Sequence, residues 1–223
     1  MDINIPLLIA YSGSLDAKRS SPSKGVFMVL KNLFWTYKHN VVDPSTRTAF
    51  YLIKAIGILK RDYNIKPNEI QIELWGNIHP LNKQHIIEEN VEEYFSIDSY
   101  LPKDESVKRL NKADMLFLPL EKSNLKNQRT LFIPGKLFEY LNTLKPILAL
   151  CEPSDCRDII EKSGLGLSIE PDNPELIAKC LFPIIKNKNL LLGLKPNKEF
   201  IETFTFKNKT QELISVLKKA SVN

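Results

Sequence analysis

The residues best placed to do chemistry are Pro134-Gly135-Lys136 and, one helical turn on, Glu139. The fixed φ of a proline suits the first turn of a helix, so Pro134 marks a helix start. Gly135 leaves the backbone bare, and a ligand can come close to it. The N–H groups of Gly135, Lys136 and Leu137 then stand as helix-terminus donors, and the helix dipole favours an anion in front of them. Lys136 adds a mobile positive charge at the same end. Glu139 shares their face, where a carboxylate can accept two hydrogen bonds from a ribose diol. Together these groups suit a nucleoside diphosphate. An ordinary amphipathic helix with a solvated Glu139 is the plainer alternative.

A second small-residue cluster, Ser12-Gly13-Ser14, follows an apolar run. Such residues let backbone approach a pyrophosphate, although a simple strand-ending turn explains them equally well. Gly76-Asn77 has the same two readings. Other chemistries lack their signatures. His39, His79 and His85 have no HExxH spacing and no cysteine cluster beside them, which argues against zinc. Gly164-Leu165-Gly166 lacks the third glycine of a dinucleotide fingerprint. Neither a Walker A sequence nor a Gly-x-Ser-x-Gly elbow occurs. No catalytic residue can be named.

The elements that must position these residues alternate along the chain. Apolar runs at Pro6 to Tyr11, Met115 to Leu120 and Pro146 to Leu150 read as buried strands, with further strands at Ile70 to Trp75, Tyr94 to Ile97 and Leu165 to Ile169. Helical patterns cover Lys24 to Tyr37, Ser45 to Lys60, Asn82 to Glu89, Lys103 to Lys112 and Pro134 to about Asn142. Ser154 caps another to Lys162, Pro174 to Lys186 follows, and the tail from Asn197 to Ala220 reads as two pieces broken near Phe206. Strands separated by helices, the inner ones continuously apolar, predict an α/β fold: a parallel sheet of about six strands covered on both faces. Ligands of such sheets bind at the carboxyl ends of the strands, so the loops after Tyr11, Trp75, Ile97 and Leu120 are where a site belongs.

Bulk composition agrees. With 223 residues, 43% hydrophobic and 26% charged, the chain suits one domain with a sizeable core. Its apolar runs fall well short of the roughly 20 residues a membrane span needs. The first residues, with an acid at Asp2, read as a strand and not a signal peptide. Three cysteines without CxxC spacing fit reduced thiols in the cytoplasm. A net charge of +5 spread along the chain permits a nucleotide or acidic lipid but does not point to nucleic acid.

The stretch Ile133-Pro134-Gly135-Lys136-Leu137-Phe138-Glu139-Tyr140-Leu141, followed by Lys145-Pro146-Ile147-Leu148-Ala149, resembles the C-terminal, donor-binding domain of group 1 (family 4) glycosyltransferases, which have the two-domain GT-B fold. Ile9-Ala10-Tyr11-Ser12-Gly13-Ser14, Leu74-Trp75-Gly76, Ala113 to Pro119, and Ser163-Gly164-Leu165-Gly166 with Pro171 to Glu175 resemble that domain's other segments in order. The resemblance implies a Rossmann-like domain across residues 1–223 and a nucleotide-sugar donor bound without a metal or other cofactor. It puts the ribose on Glu139 and the phosphates near Gly13, Ser14, Gly135, Lys136 and Leu137. Arg47 is its match for a charge-neutralising basic residue, with Lys24 as rival, and Tyr100-Leu101-Pro102 falls where backbone would read a base edge.

Residues 16–44 stand outside the resemblance and read as a helical insertion. Lys24, Lys31 and Lys38 would form one basic stripe, with Phe27, Phe34 and Trp35 among the apolar residues beside it. That pattern suits a membrane surface, a partner, or a core helix with one wet stripe. In this length there is no room for a second GT-B domain. The expectation is therefore the donor-binding part of a glycosyltransferase of surface glycan synthesis, cytoplasmic or peripheral at the membrane, completed by an acceptor-binding domain or subunit. The alternative is a non-catalytic nucleotide-binding or partner-binding module.

Overall fold

A computed structural model describes residues 5–17, 42–43, 46–123, 130 and 132–220. Strands β1 (Leu7–Ser12), β3 (Ile70–Trp75), β4 (Phe95–Asp98), β5 (Met115–Pro119), β7 (Ile147–Leu150) and β8 (Gly166–Ile169) form one sheet in the order β4-β3-β1-β5-β7-β8. Every neighbouring pair in it is parallel. A separate antiparallel pair joins β2 (Val42–Asp43) to β6 (Lys122–Ser123).

The helices are α1 (Phe50–Asp62), α2 (Pro80–Glu88), α3 (Lys103–Lys112), α4 (Gly135–Thr143), α5 (Asp155–Lys162), α6 (Pro174–Lys186), α7 (Lys198–Glu202) and α8 (Phe206–Ala220). The side-chain oxygens of Ser154 and Asn173 accept from Arg157 N and Leu176 N, which fixes the starts of α5 and α6.

Alternate strand residues point to opposite faces, and both faces are covered. Leu7, Ile9, Ile72, Phe117 and Leu148 pack in one core with Leu52, Ile53 and Ile56 of α1 and Ile177 and Leu181 of α6. Ala10, Leu116, Leu118, Ile147 and Ala149 pack in the other with Leu110 of α3, Leu137, Tyr140 and Leu141 of α4, and Ile160 of α5. Each such Leu or Ile, fully buried, contributes about 1.5–3 kcal/mol. This is the expected parallel sheet with two clothed faces.

One expectation changes and one is not reached. The helix expected from Ser45 begins at Phe50, because the Thr46 and Thr48 hydroxyls bond to other segments before the helix starts. The helix expected at Lys24 to Tyr37 lies outside the described residues, as does Lys24. No described helix is long and apolar enough to cross a membrane.

Within the sheet the order runs outward from β1 in both directions, so the switch point lies between β1 and β5. The crevice at the carboxyl ends of those strands is where such sheets bind ligands. The loop after β1 is Gly13-Ser14, and α4 begins beyond the loop after β5.

Candidate functional site

The floor of the crevice is backbone. Gly13 has φ +132 and Gly76 φ +116, at the ends of neighbouring strands. A Cβ on Gly76 would lie 2.4 Å from Gly13 O, so the second glycine lets the first loop sit directly against β3. Gly13 N donates to Trp75 O at 2.8 Å, and the Tyr11 hydroxyl donates to Ser14 O at 2.7 Å. The Ser106 hydroxyl of α3 accepts from Trp75 Nε1 and pairs with Ser12 Oγ, both at 2.8 Å. These bonds fix the loop before any ligand arrives. Sequence reasoning missed Ser106, which carries no motif.

Helix α4 supplies the opposite wall. Pro134 is extended at φ −71 and ψ 139 and offers no side-chain cap. The N–H groups of Gly135 and Lys136 have no hydrogen-bond partner among the described residues. Leu137 corrects the expectation of three free donors. Its N–H donates to Pro134 O at 3.0 Å, a tight first turn, and its side chain is fully buried in the core.

The Lys136 ammonium folds back over the glycine loop. It lies 4.8 Å from the Tyr11 ring centroid and 5.8 Å from that of Tyr140. It makes no ion pair or hydrogen bond among the described residues. Burial lowers its pKa from the usual lysine value, and the nearby Glu139 charge partly offsets this. Burial raises the hydroxyl pKa of Tyr11, against a smaller opposing effect of Arg47, and raises that of Tyr140. Both rings therefore stay neutral and offer the cation only their faces. A desolvated ammonium without a counter-ion is unfavourable, and an anion at this point would relieve it.

Glu139 is exposed, and its carboxylate makes no hydrogen bond or ion pair among the described residues. With Gly13, Ser14, Gly76, Asn77, Gly135 and the largely exposed Tyr100 it lines a groove of about 1420 Å³. Phe138, Phe204, Phe206 and Lys209 extend the groove toward the C-terminal helices. Arg47 precedes α1 and lines a smaller cavity of about 170 Å³, together with Ser14 and Lys136. Arg47 Nη1 lies 3.4 Å from Glu121 Oε1. Of the residues expected in the site, Gly13, Ser14, Gly135 and Glu139 line the groove, while Lys136 and Arg47 line the smaller cavity that also meets Ser14.

Burial keeps two of the thiols protonated. Cys151 and Cys156 are buried, and burial pushes them up to about 11 and about 12. Among the described residues, no group of three or more His, Cys, Asp or Glu side chains could hold a metal ion.

No protein-family model and no curated protein matches the chain. Solved structures do. The sucrose-phosphate synthase of Thermosynechococcus elongatus is similar with a TM-score of 0.65 and 12% identity, over 100% of this chain and 47% of that one. HepE of Anabaena in complex with UDP and glucose gives 0.58 and 14%, over 96% of this chain and 48% of that one. WaaG, a glycosyltransferase involved in lipopolysaccharide biosynthesis, gives 0.54 and 18%, over 96% and 46%. The chain spans about half the length of each of these three proteins. It has the fold of one Rossmann-like half of a GT-B glycosyltransferase.

Proposed function

We propose that this chain is the nucleotide-sugar-binding part of a glycosyltransferase that moves a sugar from a nucleotide donor to an acceptor. The observation that carries this reading is the partly desolvated Lys136 ammonium, without an ion pair among the described residues, beside the Gly135 and Lys136 N–H groups, which also lack a partner there. In the proposed complex the diphosphate lies between Gly13-Ser14 and the start of α4. Gly135 N and Lys136 N donate to it, Lys136 Nζ neutralises it, and Arg47 adds a second charge from the side cavity. Glu139 accepts from the ribose hydroxyls. Two cations and a helix N-terminus supply the neutralisation that a metal supplies elsewhere, so the proposed site works without one.

Transfer on this reading needs a second domain or partner subunit to hold the acceptor. The exposure of Phe206, Leu213, Ile214, Val216 and Leu217 along α8 supports a covering partner. The structure of GtfA/B is that of a complex, and the similarity covers 38% of the matched chain there. We place the activity in surface glycan synthesis in the cytoplasm.

The reading is tested by thermal melting with UDP, GDP, ADP and inorganic phosphate. A ligand at a hundred times its Kd adds about 2.7 kcal/mol to stability. One nucleoside diphosphate should raise the melting temperature by several degrees and phosphate much less. Melting unchanged by every nucleotide rejects it.

A further inference from the structure

We propose that Thr46 and Asn82 are positioning residues that hold Arg47 ready for the donor's phosphates. This rests on the nucleotide-binding reading above. Arg47 belongs to no helix or strand, and a loop arginine of that kind ordinarily loses much rotamer freedom on binding. Here its neighbours on both sides are buried and tied down.

Thr46 is 1% exposed, and its hydroxyl donates to Leu120 O at 2.9 Å and accepts from Lys122 N at 2.8 Å. That fastens the segment to the loop after β5. Thr48 is fully buried and donates to Asn82 Oδ1 at 2.9 Å, while accepting from Phe50 N at 3.2 Å. The same Asn82 oxygen accepts from Ala49 N at 3.2 Å. Asn82 Nδ2 donates to Asp16 O at 2.9 Å and His79 O at 3.1 Å. All four hydrogen-bonding positions of the Asn82 amide are thus used, at a site with no solvent exposure. Asp16 N in turn donates to Arg47 O at 3.0 Å. Arg47 is therefore anchored to the loop after β1 on one side and to the loop after β5 on the other. These are the two loops that flank the switch point.

What the anchors present is an incompletely satisfied guanidinium. Arg47 Nε is buried without a hydrogen-bond partner among the described residues, while Nη1 faces Glu121. The group borders the cavity it shares with Ser14 and Lys136. Leaving a charged donor buried and unanswered is unfavourable, whereas a phosphate oxygen would complete it. Holding that geometry in advance removes ordering cost from the binding step.

A purely structural role for Thr46 and Asn82 would also explain their burial, so the test must read the phosphate contact itself. Calorimetric Kd values would be measured for the preferred nucleoside diphosphate and its parent nucleoside. The proteins are the unsubstituted chain, Thr46→Val, Arg47→Ala, the double variant, Asn82→Asp and Thr46→Ser. Thr46→Val and Asn82→Asp should each weaken the diphosphate about tenfold and leave the nucleoside unchanged. In the Arg47→Ala background Thr46→Val should add nothing, and Thr46→Ser should keep near-normal affinity. Additive losses, or equal losses for nucleoside and diphosphate, overturn the positioning role; if Thr46→Val fails to fold, Asn82→Asp decides by the same nucleoside comparison. An unsubstituted chain that binds no nucleotide overturns the functional reading, and this inference with it.

Discussion

The Lys136 ammonium occupies the space that a side chain at residue 13 would fill: a Cβ built on Gly13 would fall 2.3 Å from Nζ. Gly13 also has φ +132, which L side chains rarely adopt. Gly13→Ala therefore strains the loop and displaces the cation together. The backbone strain alone costs about 1–3 kcal/mol. We expect a melting temperature lower by several degrees and diphosphate affinity weaker by tenfold or more, read by calorimetric melting and titration. Unchanged affinity would show that the lysine's place over the loop is immaterial.

Removing the lysine should separate stability from binding. Burial lowers the folded-state pKa of Lys136 below its usual 10.5, so between those values the unfolded chain binds more protons. The burial penalty is absent above pH 10.5, and it is imposed as pH falls through the lowered folded pKa. Lys136→Met should melt higher than the unsubstituted protein at neutral pH and lose the alkaline rise in stability. It should bind the diphosphate about ten- to a hundredfold less tightly. In the unsubstituted protein, affinity should fall as pH rises through the free lysine's pKa, because the anion favours the charged form. Parallel pH profiles for protein and variant would contradict this.

Glu139 is exposed and makes no hydrogen bond or ion pair among the described residues, so its loss should lower melting only slightly, through the support its charge gives Lys136. Glu139→Gln should weaken nucleotide binding about tenfold, since a carboxylate is the stronger acceptor for two hydroxyls. Binding of inorganic pyrophosphate should not change. A matching loss for pyrophosphate would assign Glu139 to the phosphates instead.

Much of this arrangement was legible in the sequence, for identifiable reasons. Helices α3 and α6 keep the bounds expected of them, and Pro102 and the Asn173-Pro174 cap mark their starts locally. Gly13, Gly135, Lys136 and Glu139 could be picked out because small residues ending an apolar run and helix-start chemistry are local signals, and the structure brings them to the same end of the sheet. The pairing of β2 with β6 was not, since two-residue strands have no periodicity. Ser106 and Asn82 were missed because their partners, Ser12, Thr48 and Asp16, lie far along the chain. The donor role of Leu137 failed on one local hydrogen bond that residue types do not encode.

The three solved structures compared above are about twice the chain's length. On the proposed reading the acceptor is held elsewhere, and aligned positioning can supply about 7–11 kcal/mol of barrier lowering. Residues 1–223 alone should then transfer labelled sugar to acceptors barely above background and release free sugar slowly. Robust transfer by the purified chain would place a complete active centre within it.

The central claim is that a diphosphate completes Lys136 and the start of α4, and a crystal structure of the protein with its preferred nucleoside diphosphate tests it most directly. Phosphate oxygens should lie within about 3.2 Å of Gly135 N, Lys136 N and Lys136 Nζ, with the ribose hydroxyls on Glu139. A nucleotide seated elsewhere, with the Lys136 ammonium still lying unpaired over Tyr11, would contradict the account.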